Sequence, residues 1–371
     1  MTTLAPHAGA LPIGAVTASG KAPPVTTGYV PNLDGLRAIA IVMVLVHHAP
    51  ALAGGWLGTF RDNGRYGVSL FFVISGYLIT TLLRREQRST GTVRLGRFFF
   101  RRSVRLFPLY YATLAVYAVL VLGLHQFSPE NQALFVAKLP AYLLYYANLV
   151  PNATQGPFFF AWSLSTEEQF YAVFGLAFRW LRARSIVMLA GLALAAKCIA
   201  YATIGPLMLA SLPLSIPFSY KEPIVLGVLL AFALETRRGK ALAQALGRPV
   251  GMIALAVASV ALLVADPIGD HNLMRAEILY VLMTALVAGA VSSPARAVLE
   301  APLVTHVGRV SYGIYLTHML ALDPLKRLLP HSPWVVLLGG AAVSIVAATL
   351  ANRLVERPIA AWRAKLDRAR A

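Results

Sequence analysis

Apolar stretches of 11 to 19 residues, candidate membrane helices, recur along this chain, and most of the charge lies in the short segments between them. The stretches run over Leu36–Ala49, Val68–Leu83, Leu106–Leu124, Gln169–Leu181 and Ile186–Thr203. They continue over Pro223–Leu234, Val250–Ala265, Glu277–Val291, Tyr312–Leu322 and Trp334–Leu350. A soluble core absorbs apolar residues, but not repeated runs of roughly 18–20 without compensating charge. Only 13% of the chain is charged and 58% is hydrophobic, where a soluble domain carries about a quarter charged residues. In hydrocarbon each backbone N–H and C=O must be satisfied within its own segment, which leaves the helix as the natural solution. The expected fold class is therefore all-α: a polytopic membrane helical bundle of about ten transmembrane helices.

The formal net charge of +18 would suggest nucleic acid in a soluble protein. Here the arginines sit in short loops between apolar stretches, the distribution of the positive-inside rule, which also suits anionic lipid headgroups. Nucleic acid is not an expected partner; membrane lipid is. The loop after the second stretch carries Arg84, Arg85, Arg88, Arg94, Arg97, Arg101, Arg102 and Arg105 against Glu86. Basic runs recur at Arg179–Arg184, Arg237–Arg248 and Arg353–Arg370. All of these lie on the cytoplasmic side only if the crossings between them are even in number. Ten crossings satisfy that condition and place both termini inside a bacterial inner (plasma) membrane. A full crossing by the apolar segment Ala133–Val150 would break the parity, so that segment is expected to be re-entrant or interfacial, packed within protein. Residues 1–30 lack a continuous apolar core and are expected to form a disordered cytoplasmic tail. A single membrane domain should occupy 31–358, with a basic cytoplasmic tail over 359–371. The single cysteine, Cys198, excludes an internal disulfide and a cysteine metal site, and is expected to be a small buried hydrophobe. No metal is expected.

Ionisable groups inside spanning helices cost about 2.5–3.5 kcal/mol each on insertion scales and so are functional candidates. The first stretch holds Asp34, Arg37, His47 and His48. At about 100° per residue, Arg37 and His48 fall within roughly 20° of each other, Asp34 about 40° from His48, and His47 about 80° from Arg37. Asp34, Arg37 and His48 thus share one stripe about 20 Å long, unless the first two only mark the cytoplasmic helix end and the histidines the outer interface. A neutral imidazole in an apolar cleft is a good general base. In Trp162-Ser163-Leu164-Ser165-Thr166-Glu167-Glu168-Gln169, Ser163 or Ser165 could cap a helix with one Glu in its first turn. Capping explains one carboxylate, not Glu167 and Glu168 together. Arg102 and Arg105, three apart, face one side of a helix end, as topology anchors or as bidentate phosphate ligands. Ser75-Gly76 permits close helix approach, and His318 is a further imidazole at membrane depth. No G-x-S-x-G elbow, Walker A loop, G-x-G-x-x-G fingerprint or H-E-x-x-H is present.

Together these residues resemble the acyltransferase type 3 family of integral membrane acyltransferases. The resemblance is carried, in family order over about residues 30–360, by Leu33-Asp34-Gly35-Leu36-Arg37-Ala38 with His48, Phe71-Phe72-Val73-Ile74-Ser75-Gly76-Tyr77-Leu78 and Arg102-x-x-Arg105-Leu106-x-Pro108. It continues with Trp162-Ser163-Leu164-x-x-Glu167-Glu168-Gln169-Phe170-Tyr171, Ser311-Tyr312-x-x-Tyr315-Leu316-x-His318 and Glu356-x-Pro358. It implies transfer of an acyl group, commonly acetyl, from acyl-CoA (acetyl-CoA as the default co-substrate) to a hydroxyl, often on a cell-surface carbohydrate. By resemblance the catalytic set is His48, Arg37, Asp34, Glu167 and Glu168, with donor binding at Arg102, Arg105 and Ser75. His48 would take the acceptor proton, Arg102 and Arg105 would hold phosphates, Arg37 would support the donor or the oxyanion, and Asp34 or Glu167 would orient a partner. A transiently acylated His48 is the alternative to direct transfer. The further extracytoplasmic hydrolase-like domain that some members carry is not expected here. Two other readings remain at this point: a proton-coupled transporter or flippase using Asp34, Glu167 and His48, and the same chemistry on a small-molecule hydroxyl such as a macrolide.

Overall fold

Each of the ten apolar stretches forms the body of a helix. The computed structural model describes residues 31–50, 54–203, 222–266, 273–292 and 298–369; the tail expected over 1–30 lies outside the described residues. The chain opens with α1 (Pro31–His48), α2 (Trp56–Asn63), α3 (Tyr66–Thr90) and α4 (Leu95–Ala118), the last extended by a π-helical turn over Val119–Gly123. There follow α5 (Pro129–Leu143), α6 (Ala161–Trp180), α7 (Ala183–Thr203), α8 (Glu222–Ala233), α9 (Arg237–Leu246) and α10 (Pro249–Ala265). The described residues end with α11 (Leu273–Ser292), α12 (Pro302–Arg309), α13 (Ser311–Leu328), α14 (Pro333–Ala351) and α15 (Arg357–Ala369). Among the described residues there is no strand.

Among the described residues five helices are long and apolar enough to cross a membrane: α3, α4 with its π turn, α7, α11, and α14 continuing into α15. A sixth appears if α9 and α10, bent by 77°, count as one span. This is fewer than the ten expected, for a physical reason. α1 and α6 dilute their apolar surface with Asp34, Arg37, Glu167 and Glu168, and α8 has only 12 residues.

α3 packs against all three buried clusters, and α1 contributes to two of them. One tight joint lies between α3 and α8. A Cβ at Gly76 would lie 2.1 Å from the Ile224 carbonyl oxygen, and one at Gly227 2.2 Å from that of Val73, so the two backbones touch at glycine. Further along, Arg84 and Arg88 pair with Glu235 at 3.0 and 2.6 Å, so α3 and α8 run parallel toward the same end. Gln87 Nε2 donates to the Phe178 carbonyl at 3.2 Å, and Arg363 reaches the Arg101 carbonyl at 3.5 Å. Arg84, Arg184 and Glu235 line one groove. All four basic segments therefore gather at one end of the bundle. The last is a helix against α4, with the Trp362 and Phe100 rings 6.2 Å apart.

The segment 133–150 enters beside the far end of α13, where Arg327 donates to the Gln126 carbonyl at 3.3 Å. α5 then descends into the bundle. At its tip Tyr145 holds φ +55°, a left-handed conformation that bulky residues rarely adopt. Its ring stacks on Tyr110 at 4.4 Å, and its carbonyl accepts from Gln169 Nε2 at 2.9 Å. The chain turns back there and returns Phe160 to within 5.5 Å of the His318 ring before α6 begins.

Cys198 corrects an expectation: it is exposed, not buried. It lies on α7, whose Met188, Leu192 and Ile199 are also exposed. An apolar neighbourhood on such a helix reflects an outward surface, not a core.

Gly76→Ala should lower stability by about 1–3 kcal/mol, because the backbones must separate to admit a methyl group. Gly96→Ala, where a Cβ meets nothing within 4 Å, should be neutral or slightly stabilising. Thermal melts of the two variants in detergent check the contrast.

Candidate functional site

The α1 stripe divides in two. At the basic end Asp34 accepts from Arg37 at 2.9 Å, its carboxylate 4% exposed. α12 locks this turn in place, since a Cβ on Gly308 would lie 1.8 Å from the Asp34 carbonyl oxygen. Roughly 16 Å further along the axis, His48 Nδ1 lies 3.0 Å from the Val44 carbonyl and 3.3 Å from His318 Nε2. The neighbouring His47 turns aside and bonds the Arg61 carbonyl at 3.0 Å. The 100° periodicity that separates the two histidines on the helical wheel also separates their partners.

Arg102 and Arg105 do not stand at a helix end. α4 runs through both and through Pro108; Arg102 is half-buried and Arg105 exposed, and both line one cavity. Arg102 Nη2 donates to Glu167 Oε1 at 3.0 Å, and its Nε lies 3.8 Å from Glu168. The guanidinium also lies over the Tyr171 ring, 3.4 Å from its centroid, a cation–π contact strengthened by burial. Ser75 Oγ donates to the same Glu167 oxygen at 2.5 Å, and the Tyr171 hydroxyl joins them. Ser75, expected beside the donor, is thus engaged in holding Glu167. Arg105 has no hydrogen bond or ion pair among the described residues.

The capping reading of Ser163 and Ser165 does not hold. α6 begins at Ala161, its first turn tightened by i→i+3 bonds from Ala161, Trp162 and Ser163 to the three preceding phenylalanine carbonyls. Ser163 Oγ instead lies 2.6 Å from the Tyr315 hydroxyl, and Ser165 accepts from the Ala147 amide at 3.2 Å. Glu167 and Glu168 fall in the second turn, away from the helix N-terminus, so the macrodipole does not account for them.

A cavity of about 420 Å³ opens between these helices. It is lined by Asp34, Arg37, Ser75, Arg85, Arg102, Arg105, Glu167 and Arg309, with Phe71, Phe72, Tyr312 and Tyr315 among its apolar and phenolic walls. Five guanidinium groups thus face two carboxylates, one of which already holds Arg102. Such a surface attracts a polyanion. His48 and Glu168 are not among the lining residues. Tyr315 and Ser163 line the cavity and stand between it and the histidines, since the Tyr315 carbonyl accepts from His318 Nδ1 at 2.6 Å. Among the described residues no cluster of three or more metal-ligating side chains occurs.

The sequence had assigned no binding role to Arg85 or Arg309. Arg85 was visible as a topology charge, and Arg309 stands two residues before the Ser311-Tyr312 motif. Tyr171 stands in the Trp162–Tyr171 motif, where the sequence attached no role to it.

The family model described as an acyltransferase domain, that of the type 3 acyltransferases, matches residues 30–353. The chain belongs to this family. The resemblance carried by the ordered motifs is thereby shown. A Staphylococcus aureus (strain COL) protein named "Putative O-acetyltransferase" is 38% identical over 152 residues, 39% of this chain and 24% of that protein. The O-acetyltransferase OatA of S. aureus (strain NCTC 8325 / PS 47) is 37% identical over 164 residues, 41% of this chain and 25% of the relative. The chain spans about a quarter of the length of the curated relatives it matches. No solved structure matches it at comparable stringency.

Arg102→Met strips two half-buried carboxylates of their counter-ion and should cost about 2–3 kcal/mol of stability, below the full cost of an uncompensated buried charge. Arg105→Met, which breaks no ion pair, should leave stability within about 0.5 kcal/mol. Denaturation of both variants in the same detergent separates the structural arginine from the free one.

Proposed function

We propose that this protein is an integral membrane O-acyltransferase. It moves an acyl group, acetyl by default, from acyl-CoA to a hydroxyl of a cell-surface or lipid-linked carbohydrate. The observation that carries the reading is the separation within one family member of a basic cavity holding a free Arg105 from an imidazole about 16 Å further along α1. The basic end is the cytoplasmic end, both termini lie there, and ten crossings of a bacterial inner membrane connect the two faces. The segment 133–150 is re-entrant, entering and turning back on the outer side. The catalytic domain occupies 31–358, flanked by cytoplasmic tails over 1–30 and 359–371.

In this scheme Arg105, with Arg37, Arg85 and Arg309 around it, holds the donor phosphates. The thioester reaches along the cavity past Tyr315. His48 takes the acceptor proton as the hydroxyl oxygen attacks the thioester carbonyl. A C–O bond forms, the C–S bond breaks, and the proton passes on to the departing thiolate, so the exchange balances without a further reactant. Asp34 orients Arg37 toward the donor or the developing oxyanion. Glu167 positions Arg102, and Glu168 supports the same guanidinium from its other side.

Initial rates in membranes supplied with labelled acetyl-CoA test the assignment. His48→Ala should lower ester formation on surface carbohydrate by about 10²-fold or more. Arg105→Ala should raise the KM for acetyl-CoA about tenfold, the scale of one charge-assisted hydrogen bond, with kcat nearly unchanged. Full transfer by His48→Ala would remove the base, and an unchanged KM in Arg105→Ala would remove the donor site. Unchanged carbohydrate with loss of a small-molecule ester would move the acceptor to that class.

A further inference from the structure

His318 is fully buried on α13, 0% exposed. Its Nδ1 lies 2.6 Å from the Tyr315 carbonyl, which only accepts, so Nδ1 carries the proton and Nε2 a lone pair. The same logic applies to His48, whose Nδ1 faces the Val44 carbonyl at 3.0 Å and therefore carries its proton. The 3.3 Å contact between the two rings then has one direction: His48 Nδ1–H donates to His318 Nε2, shared with Val44. The lone pair of His48 Nε2 is left as the free basic position.

We propose that His318 is a positioning residue that keeps His48 in its Nδ1–H tautomer and bears part of the imidazolium charge when Nε2 takes a proton. The proposal rests on the reading of His48 as general base. The Val44 carbonyl lies one turn back on the same helix and constrains only one edge of the ring. His318 approaches from another helix, and the rings of Phe159 and Phe160 lie 5.5 Å from His48 and His318 respectively. In so apolar a setting a directed acceptor bond is stronger than in water. Outer partners that orient a reacting imidazole fix its tautomer and its basicity together.

The test compares His318→Leu, which keeps bulk and loses the acceptor, with His318→Gln, which keeps an acceptor oxygen. Membranes carrying the full chain receive labelled acetyl-CoA, with endogenous carbohydrate as acceptor and rates normalised to protein. His318→Leu should lower the saturated rate by about 10- to 100-fold, the range for losing such a partner, at an unchanged KM for acetyl-CoA. His318→Gln should restore the rate to within about threefold of the parent. A Gln variant as impaired as Leu, or a Leu variant at the parental rate, overturns the proposal. Should His318→Leu melt early, the residual activity of His48→Ala decides: adding His318→Leu should cost nothing more there, and a further loss would mark a structural role. His48→Ala with full activity would overturn the base assignment itself, which is distinguishable because it needs no change at His318.

Discussion

The ion pair of Arg102 with Glu167 is the contact on which the interior of this bundle depends. Both groups are drawn out of water, 17% and 20% exposed, and neither would be tolerable there alone. Three donors from three helices converge on Glu167: Ser75 of α3, Arg102 of α4 and Tyr171 of α6 itself. The cluster ties these helices around a void and prevents it from collapsing into an apolar core. It also divides the labour of the arginine pair. Arg102 is paired with Glu167, and Arg105, one turn away, faces the same cavity with no ion pair among the described residues.

That division gives the molecule an axis. Positive charge accumulates at one end, where four basic segments meet and five guanidinium groups face the cavity. The imidazoles stand beyond it in an aromatic setting built by the descending and returning chain of α5 and the turns after it. Charge and imidazole are joined by α1 itself, which carries Arg37 and His48 on one stripe. A chain of buried polar contacts through Ser163, Tyr315 and His318 links the same two regions. In low dielectric each such contact matters more than it would at a surface.

Much of this was legible in the residues. The helices followed from apolar length, and the separate partners of His47 and His48 from the 100° phase. Ser75-Gly76 announced the close α3–α8 approach that Gly227 completes. What failed did so because tertiary partners overrode local rules. Ser163 and Ser165 resembled caps, but a tightened first turn after Phe158–Phe160 starts α6 earlier and frees both hydroxyls for distant partners. The partner of Arg102, Glu167, was not legible either, because sequence spacing shows which residues share a face but not which carboxylate they meet. Cys198 resembled a core residue because apolar neighbours look alike beside lipid and beside protein. The His48–His318 contact, 270 positions apart in the chain, had no local signature at all.

The central claim is that donor and acceptor meet from opposite ends of the bundle. Oriented proteoliposomes, with labelled acetyl-CoA supplied only to the basic end and carbohydrate acceptor enclosed only on the other side, test it most directly. Labelled ester should form on the enclosed carbohydrate and free CoA on the basic side, with no acetyl-CoA crossing the bilayer. Ester forming only when donor and acceptor share one side would contradict it.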